Sequence, residues 1–193
     1  MLANLSLKII VLTVATLNLI YFAYEFSIAR QINSVSLFAD SVDFLEDASV
    51  NILIFLAFGW SIKTRVKLGY LFSGLLLIPG IAVLSVAWEK FQNPVTPESL
   101  TLGLTGFGAL IVNGFCAYLL VRFKKSKESL TKAAYLSARN DAFANVAIIF
   151  ASVISLFWAS GWPDLIVGIG ILLLNLDSAK EVLEASRRER ALT

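Results

Sequence analysis

The chain has 193 residues, of which 58% are hydrophobic and 16% charged, and its formal net charge is +2. Soluble domains average about 45–50% apolar and about 25% charged residues, so the composition predicts an integral membrane protein. It excludes a disordered chain, a nucleic-acid-binding module and an ordinary cytosolic enzyme. The absence of histidine and the presence of one cysteine exclude a disulfide framework, an imidazole general base and a thiolate or imidazole metal cluster.

Six segments are long and apolar enough to cross the hydrocarbon core, which takes about 20 residues per helix. The second has an acidic first half, and the sixth ends in an amphipathic run. The predicted helices are approximately 7–27, 35–58, 68–89, 99–122, 131–158 and 164–185. The sequence therefore predicts an all-α protein of six transmembrane helices in a single membrane domain, with no soluble C-terminal domain.

Helix-breaking residues lie between the predicted helices, with Asn93-Pro94 before the fourth and Gly161-Trp162-Pro163 before the sixth. The run 'TPES' predicts that Thr96 caps the fourth helix and that Pro97 occupies its first helical position.

Lysine and arginine are distributed unequally over the two sides of the predicted bundle. Thirteen of these residues lie on the side that carries both termini: before the first helix, between the second and third, between the fourth and fifth, and after the sixth. The opposite side has only Arg30 and Lys90. Because positive residues are retained in the cytoplasm, both termini are predicted to be cytoplasmic. The first apolar run is too long for a signal peptide and has no small-residue cleavage pattern.

Acidic residues form a stripe along the second helix. At about 100° per residue, Asp40, Asp43 and Asp47 fall within an arc of roughly 60°, which Glu46 widens to about 120°. A carboxylate inside a spanning helix costs roughly 2.5–3.5 kcal/mol on the insertion scale, so such a stripe has to face protein, water or cations.

The fifth helix has a matching polar face, on which Ser137, Asp141 and Asn145 follow at intervals of four residues. 'DASVN' from Asp47 and 'DAFAN' from Asp141 repeat the same acid-to-asparagine spacing. Two such helices facing each other would offer carboxylate and amide oxygens to a divalent cation.

Other polar residues are interpreted as structural. Asp164 is expected to cap a helix or complement its dipole, and Glu25 and Asp177 are expected near the membrane interfaces. Asparagines in apolar helices are expected to form interhelical hydrogen bonds: Asn18, Asn113 and Asn175.

With these motifs placed, the chain resembles the cation diffusion facilitator family of divalent-metal/proton antiporters. 'SVSLFADSVDFLEDASVNIL' is similar to the second-helix segment of the family, and 'SARNDAFANVAIIFAS' is similar to its fifth-helix segment. Asp43 takes a position that is His or Asp in members, and Ser137 stands where His is usual. Members commonly carry a cytoplasmic domain after the sixth helix, whereas this chain ends at Thr193.

The resemblance implies a metal site between the second and fifth helices, formed by Asp43, Asp47, Ser137 and Asp141. Five further residues could join it: Asp40, Glu46, Asn51, Asn140 and Asn145. Carboxylate ligands without imidazole favour harder ions such as Mn²⁺ and Fe²⁺, although Co²⁺ and Zn²⁺ stay open.

We therefore expect a divalent-cation efflux protein that works by metal/proton antiport and alternating access. The expected partners are the lipid bilayer, protons as counter-ion and a second copy bound through the membrane helices, with no cofactor besides the transported metal. The expected location is the plasma membrane of a prokaryote. Two alternatives stay open, a family-derived regulatory subunit that transports little and a small cation channel. No nucleophile–base pair, phosphate loop or cofactor motif predicts an enzyme.

Overall fold

The computed structural model describes residues 2–57, 67, 81–121 and 129–174, and the regular elements among them are helices. In chain order they are α1 (Leu2–Ile32), α2 (Val35–Ala57), α3 (81–92), α4 (Ser99–Leu120), α5 (Ser129–Phe157) and α6 (Trp162–Leu174). Residues 68–80 of the predicted third helix lie outside the described residues. So does the part of the sixth beyond Leu174, including Asn175 and Asp177.

Three of the described helical segments are long and apolar enough to cross a membrane: Leu7–Ile32, Ser99–Leu120 and Ser137–Phe157. The described part of α6 is apolar but shorter. Helix α2 is as long as the spanning segments, but it differs from them because it carries four acidic residues. The all-α membrane class predicted from composition is therefore confirmed.

Helices α1, α2, α4 and α5 form a four-helix bundle in which α1 packs most extensively on α2, and α4 on α5. Glycines allow α4 and α5 to approach closely, as small residues do in membrane helix pairs. A Cβ atom on Gly106 would lie 2.8 Å from Cγ2 of Ile148, and one on Gly103 would lie 2.6 Å from Oγ of Ser152. The helix backbones thus meet where side chains are smallest.

Two hydrophobic clusters occupy different levels of the bundle. One contains Leu37, Leu102 and Ile148 among its buried residues, and it also includes Val83 of α3 and Leu165 of α6. The other joins the N-terminal half of α1 to the C-terminal half of α2 and to neighbouring turns of α4 and α5: Val11, Val14, Ile54, Leu120 and Ala138. The polar residues of the bundle fall largely between these two clusters along the helices.

The three connections that the structure describes meet at one end of the molecule. Residue Asn33, which has a positive φ of 52°, turns the chain from α1 into α2, and its carbonyl oxygen accepts a hydrogen bond from Lys90 at 2.6 Å. The amide of Gly161, before α6, donates to the carbonyl oxygen of Pro94, before α4, at 3.1 Å. The helices therefore alternate in direction.

Glu98, and not Thr96, caps α4. Its carboxylate accepts hydrogen bonds from the amides of Thr101 at 2.8 Å and Leu100 at 3.2 Å, so the helix begins at Ser99. The prediction of a Thr96 cap with Pro97 inside the helix is wrong, because the carboxylate two residues further on satisfies the free amides. Interaction with Thr101 lowers the pKa of Glu98 below its ordinary value.

Exposed apolar side chains cover the outer faces of the helices. On α4 they recur every three or four residues, as one continuous stripe: Leu100, Leu104, Phe107, Ile111, Phe115 and Tyr118. This pattern places lipid-facing residues outside and polar residues inside, the reverse of the pattern in a soluble bundle.

Candidate cation site between the second and fifth helices

The acidic stripe of α2 faces the interior of the bundle. Asp40 is 0% exposed, Asp43 6%, Glu46 7% and Asp47 3%. The helical period places them on adjoining turns of one face, and Leu37 and Phe44, which flank this face next to Asp40, are also buried among neighbouring helices. Four carboxylates are thus removed from water within two turns of helix.

Helix α5 presents its polar face to this stripe. The Ser137 side chain lies close to the carboxylates of Asp47 and Asp141. The charged neighbours of Asp43 are acidic: Asp141 on α5, and Asp40, Glu46 and Asp47 on its own helix. The four residues expected to form the metal site therefore lie on facing surfaces of α2 and α5.

The carboxylates face one another without converging on one point. Among residues 2–57, 81–121 and 129–174, no three Asp, Glu or Cys side chains come close enough together to hold one metal ion. The bundle thus provides an acidic cleft between two helices, in which small movements of α2 against α5 would change the distances between carboxylates.

Residues expected as accessory ligands occupy different places. Asn51 is buried one turn beyond Asp47, donates from Nδ2 to the Asp47 carbonyl oxygen at 2.8 Å, and keeps an unpartnered Oδ1. Asn140 lies on the exposed side of α5, where its Oδ1 accepts a hydrogen bond from Arg139 at 3.1 Å. Asn140 is therefore directed away from the acidic cleft.

Asp40 takes part in a hydrogen-bonded chain that crosses three helices. Asn113 on α4 donates from Nδ2 to Oδ1 of Asn145 on α5 at 3.1 Å. Asn145 in turn donates from Nδ2 to Oδ2 of Asp40 at 2.6 Å. The expectation that Asn113 makes an interhelical hydrogen bond is confirmed. Oδ2 of Asp40 and Nδ2 of Asn145 are thus engaged in a hydrogen bond with each other.

Glu25 on α1 is the polar residue whose environment the sequence did not reveal. It was expected near a membrane interface, but its side chain is 0% exposed and interacts with Asp40 inside the bundle. Its signal in the sequence is its position within the apolar run of α1, one helical turn after Tyr21. An ionisable residue inside a spanning helix is a candidate functional residue on that ground alone.

Asp164 caps a helix, as the sequence predicted, but the helix that it caps is α2 and not its own helix α6. Its carboxylate accepts hydrogen bonds from the amides of Val35 and Ser36, the first residues of α2, and from the hydroxyls of Ser34 and Ser36. Lys90 of α3 donates to the same carboxylate at 2.7 Å. This buried cluster joins α3, α6 and the start of α2.

The chain is similar to a known family of membrane proteins. The cation efflux transmembrane domain family matches residues 11–189 of the chain. A protein of Bacillus subtilis (strain 168) described as a "Cadmium, cobalt and zinc/H(+)-K(+) antiporter" is 26% identical over 172 residues, which cover 80% of this chain and 54% of that protein. The chain thus spans about half the length of this relative.

The family match covers both helices of the acidic cleft and nearly all of the chain. It confirms the resemblance found in the second-helix and fifth-helix segments. The chain therefore belongs to the cation efflux family of integral membrane proteins, whose members are transporters and not enzymes.

Proposed function

We propose that the chain moves divalent metal cations across a membrane in exchange for protons, through a site between α2 and α5. The observation that carries this proposal is the set of buried carboxylates on α2, which faces the half-buried Asp141 on α5. Such a set is costly without positive charge from a cation or from protons.

The proposed ligands are the carboxylates of Asp43, Asp47 and Asp141, which a movement of α2 against α5 brings together when the cation binds. The Ser137 hydroxyl or a water molecule completes the shell. Asp40 and Asn145 are left out because they hydrogen-bond to each other at 2.6 Å. Asn140 is left out because it faces away from the cleft. A shell of oxygen atoms suits Mn²⁺ and Fe²⁺, and aspartate also binds Zn²⁺ and Co²⁺.

Proton exchange follows from the same electrostatics. When the cation leaves, the carboxylates repel one another in an environment of low dielectric, so protons take the place of the metal charge. The Bacillus subtilis relative is described as a metal/proton antiporter, which supports antiport here. Rocking of α2 against α5 would open the cleft to each side of the membrane in turn. The proposed protein is a homodimer in the plasma membrane of a prokaryote, with both termini of each chain in the cytoplasm.

The test is metal uptake into proteoliposomes under an imposed pH gradient. Asp47→Asn and Asp141→Asn should each lower uptake at least about tenfold, because each removes a charged ligand. Asn140→Ala is the matched control, since it changes the residue next to Asp141 at an exposed position of α5 outside the cleft. Unchanged uptake in both aspartate variants would overturn the proposed site.

The same assay distinguishes antiport from the two alternatives, a cation channel and a regulatory subunit. Uptake that does not change when the pH gradient is removed or reversed would indicate a channel. A purified wild-type protein that binds metal but does not dissipate a metal gradient would indicate a regulatory subunit.

A further inference from the structure

A second polar site lies beside the proposed metal site, between α1 and α2. The Glu25 side chain is fully buried, and neither of its carboxylate oxygens has a hydrogen-bond partner among the described residues. The Oδ1 atom of Asp40 on α2 is also buried without a partner among the described residues. Glu25 lies one turn after Tyr21, whose ring contacts Phe44, and Phe44 lies one turn after Asp40. Because α1 and α2 run in opposite directions, the two carboxyl groups face each other. Buried polar atoms in proteins are nearly always hydrogen-bonded, so three unpartnered acceptors at one place indicate a missing donor.

Two donors close to this pair are already engaged with other acceptors. The Tyr21 hydroxyl, one turn before Glu25, already donates to the Thr105 carbonyl oxygen on α4 at 2.6 Å. The amide of Asn145 is directed at the other oxygen of Asp40, Oδ2. Because a carboxylate there can only accept, Asn145 has to present its amide to Asp40 and its oxygen to Asn113. The chain of donors therefore ends at Asp40.

We propose that Glu25 and Asp40 together bind one proton, held between a Glu25 carboxylate oxygen and Oδ1 of Asp40, at a site separate from the metal ligands. One hydrogen atom placed there satisfies an unpartnered oxygen on each residue. It also reduces two adjacent buried charges to one, and the remaining charge is stabilised by the hydrogen bond from Asn145.

The charged groups around Glu25 and Asp40 favour a bound proton whose affinity depends on whether the metal is present. From α1 the neighbouring titratable groups are Tyr21 and Tyr24, and from α2 and α5 they are acidic, chiefly Asp47 and Asp141. From α4 the bundle contributes the neutral Asn113.

The distance between the two sites is short enough for their charges to interact. Asp40 precedes Asp43 by about 4.5 Å and Asp47 by about 10.5 Å along the axis of α2. Charges at these distances act on each other strongly inside a membrane protein. This step rests on the proposed function: a cation arriving at Asp43 and Asp47 would lower the negative potential at Asp40 and release the shared proton.

The direct test detects the proton itself. Infrared spectroscopy of the purified, metal-free protein at neutral pH should show the carbonyl stretch of a protonated carboxylic acid. Glu25→Gln and Asp40→Asn should remove the same component of that band, because either change removes one holder of the shared proton. Each new amide can donate to the remaining carboxylate, so both variants replace the missing hydrogen bond. Glu89→Gln, at an exposed position, should leave the band unchanged.

Two results would overturn the proposal. One is a wild-type protein without any protonated-carboxyl band, which requires no variant. The other is a band that both variants leave intact. If one variant does not fold, the other decides, because both are expected to remove the same component.

A second measurement separates this proposal from the proposed function. In weakly buffered detergent solution, wild-type protein should release protons on metal binding, and Glu25→Gln should release about one fewer while still binding metal. Asp47→Asn and Asp141→Asn should lose metal binding but keep the infrared component that Glu25→Gln removes. Equal proton release by wild type and Glu25→Gln would refute the coupling. Absence of metal transport in the wild type would refute the proposed function while the band still reports the proton site.

Discussion

The Nζ atom of Lys90 lies 2.7 Å from Oδ2 of Asp164, and both side chains are fully buried. The pair joins α3 to α6, and the same carboxylate caps α2 through the amides of Val35 and Ser36. Because Asp164 also accepts bonds from two serine hydroxyls, its buried charge is well compensated. This cluster fixes the position of the helix pair α3 and α6 at the end of the bundle where the connections meet.

Breaking this ion pair should strongly destabilise the fold. Asp164→Asn and Lys90→Met should each lower the free energy of unfolding by about 3–5 kcal/mol, because each leaves a buried charge without its partner. The double variant should cost less than the sum of the two, as expected for residues in contact. The measurement is denaturant unfolding in detergent micelles, with Glu89→Gln as an exposed control next to Lys90. Single variants within about 0.5 kcal/mol of wild type would contradict the prediction.

Two glycines of α6 should respond in opposite ways to the same substitution. A Cβ atom on Gly168 would lie 2.8 Å from the backbone of Val35 and Ser36, whereas no atom of the described residues lies within 4 Å of one on Gly170. Gly168→Ala should therefore lower the thermal unfolding midpoint, because a backbone cannot move aside as a flexible side chain can. Gly170→Ala should leave the midpoint unchanged or raise it, since alanine favours a helix over glycine by about 1 kcal/mol. Equal midpoints for the two variants would show that α6 does not pack on the start of α2 in this way.

The Tyr21 hydroxyl should contribute a measurable interhelical hydrogen bond. It donates to the Thr105 carbonyl oxygen, and its ring contacts Phe44 at a centroid distance of 4.8 Å. Tyr21→Phe keeps the ring contact and removes the bond, so it should destabilise the protein by about 0.6 kcal/mol, the average for such bonds in membrane helices. Tyr24→Phe, on an exposed position of the same helix, is the control. Equal unfolding free energies in the two variants would refute this contribution.

The cap of α4 should make a pH-dependent contribution to stability. Hydrogen bonds with Thr101 lower the pKa of Glu98, so the folded state favours its ionised form. The contribution is complete above the ordinary pKa of glutamate and is lost as the pH falls through the lowered value. The difference in thermal midpoint between wild type and Glu98→Ala should thus be largest near neutral pH and disappear in acid. The control is Glu89→Ala, and a difference that grows in acid would contradict the sign.

The ion preference of the proposed site can be measured by competition. With three carboxylates and no imidazole, uptake under a fixed pH gradient should prefer Mn²⁺ or Fe²⁺ to Cd²⁺. Ser137→His would add an imidazole at the position where family members commonly have one, and should shift the preference towards Zn²⁺ and Cd²⁺. Wild-type preference for Zn²⁺ over Mn²⁺ would contradict the inference from ligand type.

The sequence by itself determined the class of the protein and the faces of its helices. Low charge and long apolar runs require lipid contact, because exposed apolar surface on this scale is costly in water. The helical period then places Asp43 and Asp47 on one face of α2, and Ser137 and Asp141 on one face of α5, whatever packs against them. The family resemblance rested on the same spacing.

Only the tertiary structure decided which atoms meet. Asp40 and Asn145 are 105 residues apart, and no local pattern shows that their side chains bond while Glu25 is left without a donor. The same limit applies to Asp164, which caps a helix that begins 129 residues earlier. Periodicity fixes the direction of a side chain around its own helix axis, whereas hydrogen bonds depend on the distance and rotation between helices, which packing sets.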